Sequence, residues 1–93
     1  MTVSVYQVTL PFQQAVKIAS ANPNRSQIKF MIVPGGGQNY VYYGTGPITD
    51  QTGFYYVPSS IDGTITLNWT TDVWVYQAVN AAPVQCYVID QGN

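Results

Sequence analysis

Four aspartates (Asp50, Asp62, Asp72 and Asp90), one cysteine (Cys86) and no histidine are what this 93-residue chain offers to acid, base or nucleophilic chemistry. Paired carboxylates could divide the acid and base roles of a glycosidase. Asp50, Asp62 and Asp72 fall among turn residues, however, where Asp accepts from its own backbone, so hydrolysis is not the expected role. Cys86 sits mid-strand among apolar neighbours with no His to take its proton, which describes an inert core thiol. Without His or a second Cys there is no His-bearing zinc site, no Cys-pair metal or redox motif and no disulfide within one chain. No D-x-[DN]-x-[DN]-G calcium loop occurs. Gly35-Gly36-Gly37 is followed by neither Lys-Ser/Thr nor a helical pattern, so it reads as a flexible turn and not as a phosphate cradle. No catalytic, metal or cofactor site is expected, and the chain reads as a non-enzyme.

Lys and Arg number 3 and Asp and Glu 4, so 8% of the chain is charged, against about 25% in an average soluble domain. A net charge of −1 offers no cluster of cations for counterion release, so nucleic acid is not expected as a partner. Glu is absent, Leu occurs twice, and Val, Ile and Thr are abundant, a composition short of helix formers and rich in strand formers. The uncharged stretch from Phe30 to Thr49 is broken by Pro34, the three glycines, Gln38 and Asn39, so it cannot be a spanning helix. Met1 to Gln7 has neither a basic n-region nor a continuous apolar run, so synthesis in a cytoplasm is expected. The sequons Asn24-Arg25-Ser26 and Asn68-Trp69-Thr70 have no chemistry to report without secretion.

Short runs of Val, Ile, Tyr and Thr between recurring turn signals predict one all-β domain over residues 1–93, an antiparallel β-sandwich of about eight strands that a jelly roll would satisfy. Strands are expected over Val3 to Leu10 and Gln13 to Ala19, separated by Pro11. Asn22-Pro23-Asn24-Arg25 is the first strong turn, with Pro23 presetting φ and Asn24 tolerating the conformation that follows. Gln27 to Val33 places Ile28, Phe30 and Ile32 on one face and Lys29, Met31 and Val33 on the other. Further strands are expected over Asn39 to Tyr43 and Phe54 to Val57, the latter closed by Pro58. Asp62-Gly63 turns into an alternation with Ile65, Leu67 and Trp69 on one face and Thr64, Thr66, Asn68 and Thr70 on the other. A hairpin centred on Thr71-Asp72 would pair Trp69 with Trp74. That register puts Trp74, Tyr76 and Ala78 on the Ile65 face and turns Val73, Val75 and Val79 outward, where they call for cover. In the last strand Val84, Cys86 and Val88 share one side and Tyr87 and Ile89 the other.

Tyr42-Tyr43 and Tyr55-Tyr56 are adjacent pairs in strands, so one ring of each pair must leave the face of its neighbour. Two readings follow: a platform on which glycans stack, with Trp69 a further contributor, or a subunit contact, which suits an amphipathic ring. Tyr42, Tyr43, Tyr55, Tyr56, Val73, Val75, Trp69 and Trp74 are therefore the candidate interface or glycan-facing residues. Arg25 is either a solvated surface charge or a fork that ties the Pro23-Asn24 turn to a carboxylate such as Asp90 or to loop carbonyls.

In order, Ala21-Asn22-Pro23-Asn24-Arg25, the strand Ile28 to Val33, Tyr40-Val41-Tyr42-Tyr43-Gly44-Thr45-Gly46, Gly53-Phe54-Tyr55-Tyr56-Val57-Pro58 and the closing strands from Val73 to Ile89 resemble small all-β virion proteins of tailed bacteriophages. In those proteins an N-x-x-R turn precedes a strand, a "vyyGtG" segment follows, and a "G-hydrophobic-x-hydrophobic-x-P" segment leads to the last hairpin. Asp90 and Asp62-Gly63 agree with that pattern, and Pro58-Ser59-Ser60 is a looser match. The resemblance implies a non-enzymatic virion protein: a head-decoration or cement protein, or a domain of a head spike or tail appendage. It implies a homo-oligomer, a trimer, and the major capsid protein or another virion protein as partner. Its rival from another class is a carbohydrate-binding adhesion module of a head spike or tail appendage. The composition agrees, since a charge-poor chain whose strands are apolar on both faces is one that other chains cover.

Overall fold

The computed structural model describes residues 2–33, 41–49, 52–56, 64–77 and 84–92, with the side chains of Tyr55 and Tyr56 left out. Eight strands follow in chain order: β1 (Thr2–Leu10), β2 (Ala15–Ala19), β3 (Arg25–Val33), β4 (Val41–Gly44), β5 (Phe54–Tyr56), β6 (Thr64–Leu67), β7 (Val73–Gln77) and β8 (Val84–Gly92). They build two four-stranded antiparallel sheets, the first in the order β1-β8-β3-β6 and the second in the order β2-β7-β4-β5. Among the described residues there is no helix. The chain therefore changes sheet at every connection except β4 to β5, which stay paired as neighbours through Val41↔Tyr56, Tyr42↔Tyr55 and Tyr43↔Phe54. The glycine turn at 35–37, the start of the Asn39 strand, Pro58, Asp50, Asp62-Gly63, Ala78 and Val79 lie outside the described residues.

The inner faces of the two sheets supply the core. Ile28, Phe30 and Ile32 of β3, Val84, Cys86 and Val88 of β8, and Leu10 of β1 come from the first sheet, and Ile18, Val41, Val73 and Val75 from the second. The expected faces of β3, β6 and β8 appear as read: Thr64 and Thr66 point to solvent while Ile65 and Leu67 pack toward the core. Each sheet thus buries the β-branched and aromatic residues that favour a pleated, half-buried surface.

The expected β6–β7 hairpin is not formed. β6 pairs with β3 in the first sheet, while β7 pairs with β2 and β4 in the second. Alternation within a strand fixes two faces, but a connection that crosses between sheets resets which of them is the inner one. Val73 and Val75 are consequently 0% exposed core residues, not the interface residues expected from the hairpin register. Trp74 and Tyr76 take the outer face instead, half-buried there. A second correction concerns β2. Gln13 belongs to the turn out of β1, with φ of 53° and its N–H donating to Gln77 O at 2.9 Å, because the chain must cross to the second sheet directly after Pro11. A register shift between Lys17 and Ala19 lets Ile18 and Ala19 both face inward.

Ile48, in the described segment that follows β4, packs back against Gly44 and Gly53 beside the β4–β5 pair, where it is 8% exposed. Side-chain carbons on Gly44 or Gly53 would come within 2.9 Å of Ile48, and one on Gly53 within 2.9 Å of the Tyr42 Cβ as well, so both positions are held small by this close approach.

The reassigned face of β7 makes a test. Val75→Ser should lower stability by about 3 kcal/mol, through lost burial and an unpaired hydroxyl in the core. Met31→Ser, on the outer face of β3, should change it by less than about 1 kcal/mol. Urea unfolding of both variants checks the pair, and equal losses would contradict the assignment.

Candidate functional site

One end of the sandwich is organised by a cation. A register shift between Arg25 and Gln27 in the β3–β8 ladder turns Arg25 inward at the start of β3, and its side chain is 0% exposed. A guanidinium carries five N–H donors, and here each has an acceptor. Nε–H donates to Asp90 Oδ1 at 2.8 Å, and Nη2 donates to Asp90 Oδ2 at 3.3 Å and to Ser20 O at 2.6 Å. Nη1 donates to Trp69 O at 3.0 Å and to Thr71 O at 2.8 Å. Arg25 thereby joins β8, the β2–β3 turn and the β6–β7 connection. The turn that delivers it is built as expected around Pro23 and Asn24: Asn24 N–H donates to Asn22 Oδ1 at 3.0 Å, and Arg25 N–H to Asn22 O at 3.1 Å. Around this node Ala21 N–H donates to Asp72 Oδ1 at 2.7 Å and Asn22 N–H to Thr70 O at 2.8 Å.

Asp72 and Asp90, the carboxylates among the described residues, both serve this architecture. Tyr6 lies close by and donates its hydroxyl to Ile18 O at 2.5 Å, tying the first sheet to the second. Burial raises the Tyr6 pKa, the Asp90 carboxylate adds to the rise, and the Arg25 charge opposes it. Cys86 is 0% exposed on β8, and burial pushes its thiol up to about 12.

The aromatic candidates divide between inside and outside. Tyr43 points inward, edge-on to Phe30 with centroids 5.9 Å apart, and meets Phe54 at 5.4 Å and Trp69 at 5.8 Å. Phe54 and Trp69 lie 6.0 Å apart, and Phe54 remains 60% exposed. Tyr43 and Trp69 therefore pack against the core and leave the set of outward-facing candidates. Tyr42 faces out on the second sheet beside Tyr76, with centroids 6.4 Å apart and planes inclined at 58°. In the ladder Tyr42 stands opposite both Tyr55 and Tyr76, while Trp74 stands opposite Lys17 and Gly44. Tyr76 belongs with the candidates although the hairpin register had turned it inward.

The outer face of the first sheet was the larger omission. Register places Val5, Ile89, Lys29 and Thr66 in one row across it and Gln7, Tyr87, Met31 and Thr64 in the next, flanked by Val3 and Val33. Val3, Val5, Met31, Val33, Tyr87 and Ile89 are each 37% to 70% exposed. A shallow depression of about 420 Å³ lies among Lys29, Met31, Thr64, Thr66, Tyr87 and Ile89. The signal was present in β1, whose odd positions Val3 and Val5 alternate with Tyr6 and Val8. Both sets are apolar, so periodicity alone does not say which is buried.

Two measurements follow from these surroundings. Asp90→Asn leaves the buried Arg25 charge against a neutral amide and should cost about 3 kcal/mol in urea unfolding. For Cys86, the folded pKa near 12 lies above the ordinary value of 9.0. Between these limits the unfolded chain releases a proton that the folded chain keeps, so stability is intact below about pH 9 and falls by about 1.4 kcal/mol per unit as pH rises. Cys86→Ala should remove the part of that slope that begins near pH 9, while Tyr6, whose pKa burial also raises, keeps its own contribution. An unchanged slope would remove Cys86 as its source.

Compared with known proteins, the chain matches no family model, no curated sequence and no solved structure. The resemblance to phage virion proteins accordingly rests on the motifs quoted above.

Proposed function

We propose that this chain is a non-enzymatic structural subunit of a bacteriophage particle, assembling as a homo-oligomer that decorates or cements the capsid against the major capsid protein or another virion protein. The observation that carries the reading is the apolar outer face of the first sheet, where six large apolar side chains are 37% to 70% exposed in a chain with only 8% charged residues. A surface of that kind is one that other chains cover. The strand orders β1-β8-β3-β6 and β2-β7-β4-β5 support reading the sandwich as a jelly roll, an eight-stranded double sheet used in viral capsid and lectin domains. Fold analogy contributes only an association. The motif resemblance supplies the phage.

The glycan-stacking alternative is weaker on geometry. It loses Tyr43 and Trp69 to the interior, and Tyr42 and Tyr76, inclined at 58° to each other, do not present the flat platform a sugar ring stacks on.

Quantitative mass spectrometry of phage particles purified from cells that produce the chain tests the proposal. Decoration predicts a copy number comparable with that of the shell subunit, and a handful of copies would instead indicate a vertex or tail part. Absence from the particles overturns the reading.

A further inference from the structure

A sheet edge exposes unpaired N–H and C=O groups, and proteins blunt it by keeping the edge strand short, charging it, or bulging it. The edges here are β1 and β6 in the first sheet and β2 and β5 in the second. Within the described residues β6 has 4 and β5 has 3. β2 has 5, carries the exposed Lys17 and is broken by its register shift. β1 has none of these guards. It runs for 9 residues without Lys, Arg, Asp, Glu or Pro, and it pairs with β8 in unbroken register from Thr2↔Gly92 to Leu10↔Val84. Among the described residues no strand lies along its other side. The same strand carries Val5 at 70% and Val3 at 50%, the most exposed of the large aliphatic side chains described.

We infer that β1 is a contact between two copies of this chain, pairing antiparallel with β1 of a second copy about a two-fold axis so that the two first sheets become one. A second copy fits because the strand has no charge: β1 meets β1 with no ion to neutralise and no like-charge repulsion. Antiparallel self-pairing is isologous and closes on itself. About nine main-chain hydrogen bonds would form, the number an ordinary interface carries. From a strand about 30 Å long and a sheet layer about 10 Å thick, the contact buries only about 600 Å² in total, which places it among weak interfaces. It forms where copies are concentrated or held side by side, as on a particle surface. Pairing along all 9 residues centres the axis on Tyr6, so Val5 of each copy stands opposite Gln7 of the other and diagonal to its Val5. This contact makes the homo-oligomer of the preceding reading a dimer in place of the trimer that the resemblance implies, and rests on that reading only for the setting in which assembly occurs.

Sedimentation velocity of the purified chain from about 1 to about 500 μM, dissociation constants equivalent to roughly −8 to −4 kcal/mol of binding, tests the inference. The expected result is a mass that rises from one chain to two with concentration. Val5→Lys should hold the mass at one chain throughout, with an unchanged circular-dichroism spectrum and melting temperature, while Phe54→Ser on the opposite edge should dimerise like the parent. Amide exchange of the unsubstituted chain gives a second readout: β1 amides should be better protected in the concentrated sample than in the dilute one. A monomer at the highest concentration, a trimer, a Val5→Lys variant that associates as the parent does, or β1 protection independent of concentration would each overturn it. A dimer absent from purified particles would overturn the virion reading and leave this one intact, and a monomer abundant in particles would do the reverse.

Discussion

A guanidinium withdrawn from water must find an acceptor for each of its donors, or its burial costs several kcal/mol. Arg25 meets that requirement with five bonds to four residues, and those residues belong to three separate parts of the chain: the β2–β3 turn, the β6–β7 connection and β8. In a sandwich whose chain changes sheet at nearly every connection, such a node does what short hairpins do elsewhere. It fixes where the crossing segments lie, and with them which face of β3, β7 and β8 looks inward. The ion pair with Asp90 balances the charge, and the three carbonyls set the geometry.

The scarcity of charge follows a consistent pattern around this node. Of the three cations, Arg25 is buried, Lys17 guards an edge of the second sheet, and Lys29 sits half-buried among apolar neighbours on the outer face of the first. The exposed polar surface is therefore largely uncharged, as in Thr64 and Thr66 of β6 and the Gln7–Gln85 pair between β1 and β8. On the proposed reading of the chain as a subunit packed beside its own copies, this uncharged polar surface and the apolar outer face beside an unguarded edge belong together.

Much of this was legible in residue order because it is local. The alternation in β3, β6 and β8 gave the correct faces, the Asn22-Pro23-Asn24-Arg25 turn formed where its residue types require, and Tyr42 and Tyr43 separated to opposite sides as adjacent strand residues must. What was not legible is set by tertiary context. Nothing in the Trp69 to Val73 segment records that β7 joins the other sheet, so Val73 and Val75 were assigned to the wrong face. Val3 and Val5 are indistinguishable by type from Val8, and only the position of β1 beside β8 leaves them in water. Inward Tyr43 and outward Tyr42 could likewise have been exchanged by a one-residue change of register.

The role of Arg25 as more than half of an ion pair can be measured directly with the double variant Arg25→Met, Asp90→Leu, compared in urea unfolding with Arg25→Met alone and with the parent chain. If the carbonyls of Ser20, Trp69 and Thr71 depend on the guanidinium, removing both charges leaves them without donors. The double variant should then stay at least about 2 kcal/mol below the parent. Recovery to the parent's stability would mean that the pair merely neutralises itself, and would contradict the account of Arg25 as the node that positions the crossing segments.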